Sequence, residues 1–229
     1  MHKKVFAALA IFIMFALSPA SCNLAGDIDE LRDKAHTHSY AYTVTSTTYP
    51  AQSIQTCTCG KTIGVERDTE ISDIGPGCGI IFYIASSGFA VTGAGSFTAN
   101  YLEAAPANTA TTLAWASISF NSTNITGTLT AIGTGKENTR LILATDANAP
   151  AAKACKDYSN NGKSDWFLPS KDELNEMYKA RSHLGISSGY FWSSSQYNLN
   201  YAWLQDFFDG FRSDHNKPND LFVRAIRAF

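Results

Sequence analysis

The segment Asp165-Trp-Phe-Leu-Pro-Ser-Lys-Asp-Glu-Leu174 joins an apolar extended run to the start of a helix. Ser170 and Glu173 have the spacing of a capping box, in which the serine hydroxyl accepts the glutamate N–H and the carboxylate reaches back to the serine N–H. Asp172 and Glu173 also put negative charge at the positive end of the helix dipole. Leu174, Met177 and Tyr178 fall on one helical face, so a helix is expected from Ser170 to about His183. Gly185 and Ser187-Ser188-Gly189 then end it.

The next forty residues, Tyr190 to Phe229, hold eleven aromatic residues and few Leu, Ile or Val. Asn, Asp and Ser are set among the rings. Rigid rings supply contact area at little entropic cost and short polar groups supply hydrogen bonds, which is what a recognition surface needs. The same pattern suits the closing strands of a β domain, because alternate strand residues face opposite ways.

Upstream, Ile74-Gly-Pro-Gly-Cys-Gly79 is a dense turn before Ile80–Ile84, a strand by its β-branched and aromatic content. Gly88 to Gly95 reads as loop or hairpin. A long irregular stretch is expected from Tyr101 through Thr130, with Leu113 to Ala116 a short apolar piece. Gly133-Thr-Gly-Lys136 lacks the glycine spacing of a phosphate loop, and Glu137 stands where Ser or Thr would bind magnesium. Pro150–Cys155 is Ala-rich and helical in character. Asp157-Tyr-Ser-Asn-Asn-Gly162 begins like a calcium loop, but Leu168 occupies the place of the bidentate Glu, so a polar turn fits better.

The chain has 229 residues, 45% hydrophobic and 17% charged, with a net charge of −2. That is enough for a real core, and no basic field speaks for nucleic acid. At the N-terminus, Lys3-Lys4 and the apolar run Val5–Leu17 have the length of a signal-peptide core rather than a membrane span. Ser18-Pro-Ala-Ser21 precedes Cys22, in the manner of a lipoprotein signal; ordinary cleavage near Ala20 is the alternative. Residues 1–21 are thus read as signal peptide and 22–35 as a lipid-anchored tether. Residues 36–70 form a small module with strand signals at Ser39–Thr48 and Gln55–Cys59, sized for a β-hairpin. Its His36, His38, Cys57 and Cys59 suit zinc by type, but their spacings do not; free thiols or a disulfide are the other readings. No metal or other cofactor is assigned.

Asp165–Leu174, Phe191-Trp-Ser-Ser-Ser195 and Val223-Arg-Ala-Ile-Arg-Ala-Phe229 together resemble a bacterial branch of the C-type lectin-like fold related to formylglycine-generating enzymes. The resemblance covers roughly Ile71 to Phe229 and includes the Ile74-Gly-Pro-Gly start, with Cys78 in a glycine run. It implies an α+β domain of short strands and one or two helices, preceded by the small β-hairpin module. Within the branch the chain is similar to lipoprotein targets of diversity-generating retroelements, which keep a fixed scaffold and vary ligand contacts in their last segment. Carried over, the scaffold is Trp192, Ser193, Ser194, Ser195, Gln196, Ala202, Trp203, Gln205, Gly210, Arg224 and Arg227. The ligand-binding positions are Tyr197, Asn198, Asn200, Tyr201, Asp206, Phe208, Asp209, Phe211, Ser213, Asp214, His215, Asn216, Asn219, Asp220 and Phe222. Most are residues that adenine changes at an Asn-type codon yield.

The formylglycine-generating relatives work through C-terminal cysteines, and no cysteine lies beyond Cys155. Nor is there a Gly-x-Ser-x-Gly elbow to support a triad drawn from Ser193–Ser195 with His183 or His215. The expectation is a surface-displayed lipoprotein, not an enzyme, held at the outer membrane through Cys22 and binding a protein or glycan ligand. A fixed-specificity adhesive or structural envelope lipoprotein is the alternative. The leading reading further expects Tyr201, Phe208, Phe211 and Phe222 to be exposed and clustered.

Overall fold

The computed structural model describes residues 40–57, 62–66 and 68–229. The signal segment, Cys22, His36, His38 and Cys59 lie outside them.

Trp166-Phe167-Leu168 is the seam between two hydrophobic cores. Phe167 exchanges backbone hydrogen bonds with Ile226, at 2.8 and 3.0 Å. In this extended backbone successive side chains point opposite ways. Trp166 and Leu168 therefore enter one core with Trp115, Ile142, Trp192 and Val223. Phe167 enters the other with Phe82, Leu102, Leu174, Met177, Phe191, Phe207 and Ile226.

The architecture is mixed α+β. Strands β1 (Tyr40–Ser46), β2 (Gln52–Cys57) and β3 (Thr62–Glu66) form an antiparallel three-stranded sheet, one strand more than the hairpin expected. Strands β4 (Ile80–Val91) and β5 (Phe97–Ala104) form a long antiparallel pair. Gly88, at φ +75°, sits where its register shifts. After β6 (Ala110–Leu113) come helices α1 (Gly135–Thr145), α2 (Pro150–Asp157) and α3 (Lys171–Lys179).

The chain closes with β7 (Tyr190–Gln196), β8 (Tyr201–Asp206), β9 (Arg212–Asn216), β10 (Leu221–Val223) and β11 (Ile226–Ala228). One five-stranded sheet runs β6-β10-β7-β8-β9, and β11 joins β5 and β4 in a separate three-stranded sheet.

Among the described residues, three α-helices stand where one or two helices were expected. The apolar face of α1 is short, since Gly135, Asn138, Thr139 and Ile142 are its buried residues, so periodicity alone does not announce it. Helix α3 has both halves of the capping box, but its α-helical part ends at Lys179, short of His183. Turns continue to Gly185. The stretch after Tyr101 is less irregular than its sequence suggests, because it completes β5 and supplies β6.

Glycine-rich turns in this fold enclose protein carboxylates. Glu103 on β5 is fully buried; its oxygens accept the Gly77 and Gly79 N–H groups, both at 2.9 Å. A Cβ on Gly75, Gly77 or Gly79 would stand 2.3 to 2.9 Å from that carboxylate. Cys78, in the same run, has φ +54° and is held in a disulfide. Likewise the Gly133-Thr-Gly135 segment closes over Glu173: Gly133 donates at 2.8 Å, and a Cβ on Gly135 would lie 2.2 Å from Oε2. The calcium-like segment is a tight turn, with Asn160 bridged to Lys163 and positive φ at Asn161 and Gly162. Asn161 ties that turn to Pro76 O at 3.0 Å.

Candidate recognition surface

The antiparallel strands β7, β8 and β9, together with the turns that join them, carry most of the candidate residues. At the centre of β7, Ser193, Ser194 and Ser195 are all buried. The register with β8 shifts across them, between Trp192 and Gln196. Their polar atoms take over the lost ladder bonds. Ser193 Oγ donates to Trp203 O at 2.8 Å, Ser195 Oγ donates to Leu129 O at 2.7 Å, and Ser194 Oγ accepts from Asn138 at 3.2 Å. Trp192 Nε1 donates to Leu113 O and Trp115 Nε1 to Ser193 O. These groups form a rigid base, not a set of free nucleophiles.

None of the fifteen candidate binding residues is buried. Tyr197, Asn198, Asn200, Phe208, Asp209, Phe211, Asn216 and Asp220 are exposed; Tyr201, Asp206, Ser213, Asp214, His215, Asn219 and Phe222 are half-buried. Of the scaffold set, Trp192, the three serines, Ala202, Gln205, Arg224 and Arg227 are buried, while Gln196, Trp203 and Gly210 are half-buried.

The candidates do not form one cluster. Tyr201 pairs with Asn216 at one end of β8, and Gln205 pairs with Arg212 near the other. At about 3.3 Å per residue the strand separates the two hairpin turns by well over 10 Å. One end holds Tyr197, Asn198, Asn200, Tyr201 and Asn216. The other holds Asp206, Phe208, Asp209 and Phe211, with Phe208 and Phe211 75% and 65% exposed. Phe222 belongs to neither: its ring stacks on buried Phe191 at 5.3 Å. The expected cluster of Tyr201, Phe208, Phe211 and Phe222 is thus corrected by the antiparallel pairing, which sends successive turns to opposite ends of the sheet.

Several of the polar candidates hold the turns in shape. Asn198 Oδ1 accepts from the N–H of Asn200 and of Tyr201 at 2.9 and 3.0 Å. Asp206 accepts from Phe208 N, and Asp209 from Phe211 N, both at 2.8 Å. Such Asx turns let a side chain replace a backbone acceptor. Along β9, Asp214 is paired with Trp203 and Asn216 with Tyr201, whereas Ser213 and His215 are paired with Leu204 and Ala202. The two sets therefore face opposite ways. His215 lies 6.3 Å from the Trp192 ring and 2.6 Å from the Asn219 amide.

Trp203, assigned to the scaffold, carries more of the surface than expected. Its ring meets Tyr197 edge-on at 5.0 Å, and Lys171 Nζ stands 3.1 Å from its centroid. Burial and the nearby Arg212 push the Lys171 pKa down, while Arg212 pairs with Asp172 at 3.3 Å.

Lys217 is fully buried, although its sequence context, Asp-His-Asn-Lys-Pro-Asn-Asp, reads as solvated. Its Nζ donates to Thr123 O, Gln196 Oε1 and Leu199 O at 2.7, 2.8 and 2.9 Å, below the Trp115 ring at 4.9 Å. Desolvation draws its pKa down to about 8, against the three acceptors, which favour the charged form. No sequence signal distinguishes it from a surface lysine.

Among the described residues, no group of three His, Cys, Asp or Glu side chains could hold a metal ion. A cleft of about 520 Å³ between α1, α2 and the Ser164–Phe167 segment contains none of the fifteen candidates.

No curated protein matches the sequence. Residues 105–227 match the family model of the Lcl C-terminal domain. That span holds all three helices, strands β6 to β10 and every candidate recognition residue. With more than half of its residues inside the match, the chain belongs to the Lcl C-terminal domain family.

Proposed function

We propose that this protein is a surface-displayed binding lipoprotein, anchored at the outer membrane through Cys22, whose last forty residues contact a protein or glycan ligand without catalysing a reaction. The observation that carries the reading is the partition of burial along β7–β9. The aromatic and Asx/Ser positions are open to solvent in whole or part, above a base of buried Trp192, hydrogen-bonded serines and Gln205. Preorganised rings over a rigid base favour binding, because little side-chain entropy remains to be lost.

The finer form of the reading is a C-type lectin-like fold of the formylglycine-generating-enzyme type, close to the treponemal variable protein and diversified by a retroelement. Support lies in the match between the expected varying positions and the unburied ones. A second form, a fixed-specificity adhesive or structural envelope lipoprotein, is favoured by a separate observation. Asn198, Asp206 and Asp209 each hold a turn through backbone N–H groups, and free variation there would remove those bonds.

Two experiments test this. The first is binding of the full mature chain to an array of purified glycans and extracellular proteins. A ligand is expected whose binding falls at least tenfold in Tyr197→Ala/Tyr201→Ala at unchanged Tm; a ligand bound by both this variant and Phe208→Ala/Phe211→Ala as tightly as by the unchanged chain would remove the surface assignment. The second is sequencing around the gene's 3′ end. A reverse transcriptase beside a near-copy of the last forty codons, differing at adenines, supports diversification; their absence favours fixed specificity.

A further inference from the structure

We infer that Lys217 acts as an internal cation that joins the Thr123–Leu129 loop to the Gln196–Tyr201 turn, making that loop a second wall of the recognition surface. The inference rests on the binding role proposed for the turn. An ammonium group has three N–H donors. Here each finds an oxygen on a different part of the chain: Thr123 O in the loop, Gln196 Oε1 at the end of β7 and Leu199 O in the turn. The backbone of Lys217 adds two ties, its N–H to Asn200 O at 3.0 Å and its carbonyl to Trp115 N at 2.8 Å.

The segments joined in this way also bond to each other. Ile125 N donates to Gln196 Oε1 at 2.9 Å, Gln196 N to Thr128 Oγ1 at 3.2 Å, and Gln196 Nε2 to Asn124 Oδ1 at 2.5 Å. Gln196 therefore sits between loop and turn with both ends of its amide engaged, and Lys217 supplies the charge that orders it. Among the described residues no carboxylate bonds to Lys217; backbone and amide oxygens and the Trp115 ring surround it. A buried charge without a counter-ion opposes stability. Burying it is sensible where one small group must gather several carbonyls at one point, as a bound metal ion does.

The joined loop presents Asn124 and Leu129 to solvent, Leu129 at 56%, beside Tyr197 at 52% and Leu199 at 47%. These exposed groups are amides and apolar side chains, so they favour a ligand surface with hydrogen-bonding and apolar parts. Asn124 and Leu129 lie outside the last forty residues. Under the diversified form of the proposal they form a constant wall facing a varying one.

The test is backbone hydrogen–deuterium exchange on the full mature chain and its Lys217→Met variant, which keeps the side-chain length without charge or donors. The N–H groups of Ile125, Gln196, Asn200 and Tyr201 are expected to exchange at least tenfold faster in the variant, with those of β4, β5 and α3 unchanged. Unchanged exchange at the four sites would overturn the inference. Should Lys217→Met fail to fold, lysine side-chain NMR of the wild-type chain decides: one slowly exchanging ammonium signal at neutral pH supports the role, and uniformly fast exchange overturns it. Leu129→Ala and Asn124→Ala are then measured on any ligand found by the array, where a loss of threefold or more supports the second wall and no loss overturns it. An array without a ligand would count against the binding role itself, while the exchange data would still decide whether Lys217 joins the two segments.

Discussion

Glu103 shows at the scale of one residue why the Ile74–Gly79 turn needs its glycines. The carboxylate is buried, and it accepts from Arg227 at 2.7 Å as well as from Gly77 and Gly79. Burial raises its pKa, opposed by Arg227 and the two N–H groups. Arg227 is shared with Asp165, at 2.8 Å. Arg227→Ala would leave Glu103 buried without a counter-charge, and a loss of about 3–5 kcal/mol is expected in urea unfolding. Glu173 makes a pH prediction. Its carboxylate accepts from Gly133 N and Ser170 N, and burial raises its pKa from 4.5 to about 7. Between those values the folded state holds a proton the unfolded state has released, so this contribution is full below pH 4.5 and is lost as pH rises through 7. The difference in stability is on the order of 3 kcal/mol at most. In Glu173→Gln that part of the pH dependence should vanish, while stability falls by about 1–3 kcal/mol because an amide NH₂ meets a backbone donor.

At the scale of elements, the β8–β9 hairpin and the short β10 distinguish exposed rings from supporting ones. Phe208 projects from the hairpin turn, whereas Phe222 stacks on Phe191 and crowds Gly189, whose Cβ would lie 2.8 Å from its ring. Phe208→Ser is expected to change stability by less than about 0.5 kcal/mol. Phe222→Ala should lose about 1–2 kcal/mol, less than a fully buried ring would. Chemical denaturation of both variants checks the contrast. If Phe222 proves as neutral as Phe208, its assignment to the support of the core is wrong.

At the scale of the whole molecule, the family match begins at residue 105 but the folded unit does not. Strand β5 pairs with β11 from Leu102 to Ala104, and Glu103 anchors Arg227. Phe82, Leu102 and Ala104 pack with Leu174, Phe191 and Ile226 in a single core. A fragment of residues 105–229 is therefore expected to lack a cooperative thermal transition, and 71–229 to retain one; circular dichroism melts of the two decide this. Among the described residues, the N-terminal sheet meets the main domain where Tyr49 N and Ile74 N bond to Ile74 O and Thr47 O at 2.6 Å and the Tyr49 ring meets Tyr101 and Phe229. Removing residues 1–46 should leave the melt of the remainder nearly unchanged, since none of the described side chains of β1, Thr43 to Ser46, belongs to either core.

Features that depend on neighbours in sequence could be read from the sequence. The capping box of α3, the polar turn at Asp157–Gly162 and the strand after Gly79 all follow from spacing and side-chain type. Helix α1 was not legible, because its buried face includes Gly, Asn and Thr whose partners lie on other elements. Nor was the separation of the two hairpin ends, which requires the pairing of β8 with β9. The buried charges and their partners are further apart still. Arg227 finds Glu103 across 124 positions and Lys217 finds Thr123 across 94. A lysine or glutamate looks the same in sequence whether solvated or enclosed; only folding brings up the acceptors and glycine N–H groups that make burial tolerable. The sequence alone thus determined where rings and short polar groups stand along the last forty residues. The tertiary structure decided which of them share an end of the sheet, and which charges hold that end in place.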